Sequence, residues 1–146
     1  FPFPGTPPTA SEPEVDETGT RKEMARESSP ALVTTGPKRW RMVNAGALVH
    51  EMAMLPLPAG TTEGQFGEYL TWTFSQPFDA TPIPDATPPG GLALDYAPVA
   101  AMSLLSPGRT SWVDIDLPPG RYGALCAVPD GPPHAAQGMY AVFDVV

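Results

Sequence analysis

The sequence predicts an all-β domain, a Greek-key β-sandwich with one short inserted helix behind a disordered N-terminal tail. Three observations lead there. The chain holds 21 Pro and 14 Gly in 146 residues, enough to break any array of long helices. Hydrophobic residues still make up 42%, so one domain of this length can bury a sizeable core. Between the Pro and Gly signals, short segments alternate apolar with polar residues at the period of a half-buried strand.

Residues 1–35 read as an acidic, proline-rich tail or linker. They carry Glu12, Glu14, Asp16, Glu17, Glu23 and Glu27, and the one sizeable apolar side chain between Gly5 and Glu23 is Val15. Such a stretch buries too little to offset its ordering entropy. The folded domain is expected over 36–146. Arg39 to Val43 alternates, and Asn44-Ala-Gly46 supplies a turn. Leu48 to Leu57 alternates again, with Pro56 and Pro58 marking its end. Thr62 and Gln65 have the spacing of a capping box, and Phe66, Tyr69, Leu70 and Phe74 fall on one helical face, which predicts the inserted helix. Gln76 to Gly91 reads as a long irregular loop. Thr110 to Leu117 alternates, and Pro118-Pro-Gly120 turns the chain into a strand over Tyr122 to Val128. A last strand covers Gly138 to Val146. Trp40, Trp72 and Trp112 are expected as core or core-edge anchors, and Asp114 and Asp116, which alternate on one strand face with Trp112, as a solvent-facing row.

Charge and length exclude several classes. A net charge of -8 argues against nucleic acid or an anionic membrane surface as a partner, since both attract clustered Lys and Arg. The longest uncharged runs, Tyr96 to Gly108 and Gly131 to Phe143, are too short to span a membrane. The chain opens Phe-Pro-Phe-Pro without an initiator Met or signal segment, which is what a processed or trimmed chain shows. Pro88-Pro-Gly-Gly91 is a turn and not a phosphate-binding loop.

The placement of 2 His and 1 Cys is the most informative feature. Cys126 ends a strand, His134 sits eight positions on in a Pro/Gly loop, and Met139 begins the next strand. His50 lies just inside the strand that follows the Asn44 turn. Two imidazoles, a thiolate and a weak axial thioether are the donor set of a blue-copper site: thiolate and thioether favour Cu(I), imidazole suits Cu(II), and a rigid compromise eases one-electron transfer. Singly, each residue has a plainer reading, Cys126 as a small buried hydrophobe and the histidines as strand and loop residues. Met52 and Met54, on the His50 face, read as core filling. With both His residues taken, no Ser-His-Asp arrangement and no second imidazole-rich metal site is available, so an oxidase or nitrite reductase is excluded.

These residues carry a family resemblance. Asn44-Ala-Gly-Ala-Leu-Val-His50 resembles the Asn-containing turn before the first His ligand of the cupredoxins, the plastocyanin and azurin type of small copper protein. Pro118-Pro-Gly-Arg-Tyr-Gly-Ala-Leu-Cys126 is similar to the family's strand leading into its Cys ligand, and His134, Met139 and the final strand complete its C-terminal signature. The Cys-to-His gap is longer than in plastocyanins and closer to that of copper nitrite reductases. The resemblance implies one copper ion held by His50, Cys126, His134 and Met139 in a type 1 site, and electron transfer without enzymatic turnover. It also implies a redox protein as partner, a monomer, and a periplasmic or secreted location, with the tail as a possible tether. An apolar rim of Gly46, Ala47, Leu48, Pro132, Pro133, Ala135 and Ala136 is expected around the ligand loop. The alternative is a metal-free cupredoxin-like domain used for binding or scaffolding.

Overall fold

The computed structural model describes residues 31–76, 88–129 and 131–146. Residues 1–30 of the expected tail and the centre of the loop expected over 76–91 lie outside the described residues. Seven strands are present among them: β1 (Ala31–Val33), β2 (Lys38–Val43), β3 (His50–Leu57), β4 (Ala100–Leu105), β5 (Thr110–Ile115), β6 (Gly120–Leu125) and β7 (Tyr140–Val145). They form a five-stranded sheet in the order β1-β7-β6-β3-β4 and a two-stranded sheet of β2 and β5. The chain crosses repeatedly between the two sheets, as the expected β-sandwich requires. One helix, α1 (Glu63–Ser75), is inserted after β3.

The helix starts where the sequence places it. The Thr62 hydroxyl accepts the Gln65 N–H at 3.1 Å, and the Gln65 side-chain oxygen accepts the Thr62 N–H at 2.9 Å, so both halves of the capping box form. Phe66, Tyr69 and Leu70 are buried beneath it.

This helix adds a third layer, which explains an irregularity in β3. Alternation predicts one buried and one solvated face, yet Met52, Ala53, Met54 and Leu55 are all buried. Met52 and Met54 pack toward the smaller sheet, in a core with Trp40, Met42, Ile115, Tyr122 and Phe143. Ala53, Leu55 and Leu57 pack the other way, against Phe66, Leu70 and Leu125. The two methionines are therefore core filling, as the sequence suggested.

Two glycines let the helix close on the sheet. A Cβ at Gly123 in β6 would run into the Phe66 ring, and one at Gly67 in α1 would run into the Tyr140 hydroxyl. Gly67, unfavourable for helix formation in isolation, thus leaves room for the end of the Tyr140 side chain. Gly123→Ala is expected to cost about 1–3 kcal/mol by overpacking, read by urea unfolding; a neutral change would mean that α1 does not sit on β6.

Three elements differ from expectation. β1 lies inside the stretch assigned to the tail, pairing parallel with β7, and Val33 is buried in the main core. The sheet therefore begins upstream of residue 36. β4, without marked alternation in Ala-Ala-Met-Ser-Leu-Leu, forms the edge next to β3. Trp112 is not a core anchor: it is 58% exposed, on the same face of β5 as Asp114 and Asp116, whereas Trp40 is buried and Trp72 half-buried.

Candidate metal centre

Strand pairing brings the candidate ligands to one end of the sandwich. β3 and β6 are antiparallel neighbours with Ala53 opposite Leu125, so the start of β3 lies beside the end of β6. His50 is the first residue of β3, and Cys126 directly follows β6. His134 opens a short 3₁₀ turn over His134–Gln137, which ends on Gly138 at φ 96°, a left-handed conformation that glycine adopts without strain.

The ligand loop is closed by its own backbone. Cys126 N–H donates to the Met139 carbonyl at 3.1 Å, and Ala135 N–H donates to the Cys126 carbonyl at 2.7 Å. Met139 N–H donates to the His134 carbonyl at 2.9 Å, and His134 N–H to the Val128 carbonyl at 3.1 Å. These bonds hold Cys126, His134 and Met139 in a fixed relation. Met139 is buried and immediately precedes β7.

The other candidate ligand is anchored through Asn44, whose side chain is almost fully buried. Its amide nitrogen donates to the carbonyls of Leu48 at 2.7 Å and Leu105 at 2.8 Å, and its side-chain oxygen accepts the Gly46 N–H at 3.0 Å. The loop leading to His50 is thereby tied to the end of β4. The sequence marked Asn44 as a turn residue; the long-range bond to Leu105 left no local signal.

Three donor atoms converge. The His50 Nδ1 and His134 Nδ1 atoms lie 3.0 Å apart, and Cys126 Sγ lies 3.8 Å from the first and 3.4 Å from the second. A circle through atoms at these separations has a radius of about 2.0 Å, close to the metal–nitrogen bond length of about 2.0–2.1 Å at zinc sites. The triangle is therefore of metal-binding size. His50, Cys126 and His134 are all buried, at 7%, 0% and 2% exposure.

Burial pushes the Cys126 thiol above its ordinary pKa. The backbone N–H groups of Glu51 and Val128 pull it back, and the Glu51 charge pushes it up. The Glu51 N–H points at the sulfur from 3.4 Å. A metal ion held here would displace the thiol proton, and the same N–H would then face a thiolate.

The surroundings correct the expected rim. Ala135 is fully buried, packed in the core under α1, and Pro133 is buried as well, because the 3₁₀ turn folds this part of the loop inward. The exposed apolar positions at this end are Ala47, Leu48, Val49 and Pro132, with Gly46 and Ala136 half-buried.

No protein-family model and no curated protein matches the sequence. Solved structures with a similar fold include a dithionite-reduced auracyanin from the photosynthetic bacterium Roseiflexus castenholzii, 22% identical over 82% of this chain and 86% of that one, with a TM-score of 0.48. Auracyanin B is 19% identical over 80% of this chain and 76% of its own, at a TM-score of 0.48. Reduced rusticyanin is 17% identical over 79% of this chain and 61% of its own, at 0.46. With identity and superposition this low, the functional reading rests on the ligand geometry. The His50–Cys126–His134 cluster lies at one end of the sandwich, where residues 44–50 and 118–146 meet.

Proposed function

We propose that the chain is a copper-binding electron-transfer protein, with one copper ion held by His50, Cys126 and His134 in a type 1 site and Met139 as a weaker fourth ligand. The observation that supports this most directly is the triangle of buried donor atoms, separated by 3.0, 3.4 and 3.8 Å. Two imidazoles and one thiolate suit copper in both common oxidation states, since the sulfur is soft and the nitrogens borderline. Copper bound there supplies a reversible one-electron change.

The chain's own residues supply rigidity, dryness and electrostatics. β3 and the clamped 126–139 loop fix the donors, which keeps their rearrangement on gain or loss of an electron small. Burial of all three excludes water, and the Glu51 N–H stabilises negative charge on the sulfur. Both histidines of the chain are used, so no second imidazole site supports oxygen or nitrite chemistry, and a carrier is favoured over an enzyme. No helix of the described residues is long and apolar enough to cross a membrane. The cupredoxin resemblance supports a monomer in the periplasm or outside the cell, and the composition of the acidic segment upstream of β1 suits a tether.

Titration of the metal-free protein with Cu(II) tests this reading. An intense visible band that saturates at one ion per chain is expected; weak, colourless binding would leave the metal-free scaffold as the better account. Electrons are expected to leave across the exposed apolar end, where Leu48 is 42% exposed. Leu48→Asp should slow exchange with a redox protein without altering the colour, and unchanged exchange would move the exit to another face.

A further inference from the structure

We propose that the outer face of the two-stranded sheet, at the end adjoining the His50 loop, docks an acidic patch on a protein partner. Trp112 is 58% exposed there, and the Arg41 guanidinium lies 5.7 Å from its ring centroid. The two residues are paired directly across β2 and β5. Arg109, also exposed, precedes β5, and its carbonyl accepts the Asn44 N–H at 2.9 Å. Gly108 N–H donates to the Asn44 carbonyl at 2.8 Å, so the Arg109 turn and the loop leading to His50 are joined by their backbones.

Charge is sorted along this face. Away from the metal centre, Arg39 and Asp114 neutralise each other through bonds of 2.8 and 2.9 Å, and Asp116 lies beyond them. Toward the centre stand Arg41 and Trp112, with Arg109 exposed in the turn that precedes β5. A chain of net charge -8 thus places a cationic, aromatic spot beside the exposed apolar loop of Ala47, Leu48 and Val49. Trp and Arg are the residue types that anchor protein interfaces. Carboxylates of a partner would pair with Arg41 and Arg109 while its apolar surface covers Trp112 and Leu48.

A protein fits this pattern better than an anionic membrane. An extended negative surface is repelled by the chain's net charge and by Asp114 and Asp116 on the same face, whereas a partner patch of limited extent avoids them. The inference deepens the electron-transfer reading by naming the partner's surface chemistry. It rests on that reading for its purpose, but the binding itself needs no copper.

Nuclear magnetic resonance of the whole chain, metal-free and copper-loaded, tests it by titration with a short peptide of Asp and Glu and, separately, with phosphatidylserine vesicles. The Trp112 indole and the β2–β5 amides are expected to shift with the peptide in both forms, and vesicles to leave them unmoved. Arg41→Glu and, independently, Arg109→Glu should weaken peptide binding about tenfold, with urea unfolding showing that each variant folds as the parent does. Shifts confined to another face, equal affinity in both variants, or preference for vesicles would overturn the proposal. Peptide binding without copper uptake would instead contradict only the electron-transfer reading.

Discussion

Cys126→Ser is expected to abolish the intense visible band of the copper-loaded protein, because that colour requires a thiolate bonded to the metal. Copper affinity should fall with it, since a hydroxyl is a far poorer ligand for Cu(I) than a thiolate. The pH dependence should change as well. Burial holds the Cys126 thiol protonated above its ordinary range, so uptake by the parent releases that proton and weakens as pH falls, by about tenfold per unit for one proton. The serine variant loses that contribution. Absorbance reads the colour, and competition with a chromophoric copper chelator at several pH values reads the affinity of both proteins. A variant that stays coloured, or binds copper as tightly, would place the metal elsewhere.

Phe143→Ala should cause a large loss of stability, and Trp112→Ala a small one. The Phe143 ring is fully buried where the sheets meet, with its centroid 5.7 Å from Trp40 and 5.7 Å from Tyr122. Truncation there should cost about 3–5 kcal/mol, a large share of a domain stability of about 5–15 kcal/mol. Trp112 covers the outer sheet face and contributes its contact with Arg41, worth about 0.5–1 kcal/mol when exposed. Urea unfolding of the two variants separates core from surface. Comparable losses would contradict the division of the aromatic residues between core and surface.

What the sequence made legible follows local chemistry. The capping box at Thr62 and Gln65 is a four-residue signal and appears as read. The strands that carry His50 and precede Cys126 could be placed because turns flank them. Convergence of both His residues with the lone Cys was legible because no other residues of these types compete. β1 was hidden: three residues cannot display a period, and its partner β7 lies at the far end of the chain. β4 was hidden because its exposed positions are Ala101, Ser103 and Leu104, which give no apolar–polar alternation. Trp112 was misread by type, since exposure depends on which face of β5 turns to the core. The register with β2 decides that, with Trp112 opposite exposed Arg41. Burial of Ala135 followed from the 3₁₀ turn, which composition alone reads as an open Pro/Gly loop.

X-ray absorption at the copper edge of the loaded protein tests the central claim most directly. One short copper–sulfur distance and two imidazole nitrogens are expected, matching Cys126 Sγ and the Nδ1 atoms of His50 and His134, whose separations already suit a single ion. A spectrum with only nitrogen and oxygen neighbours would contradict the account.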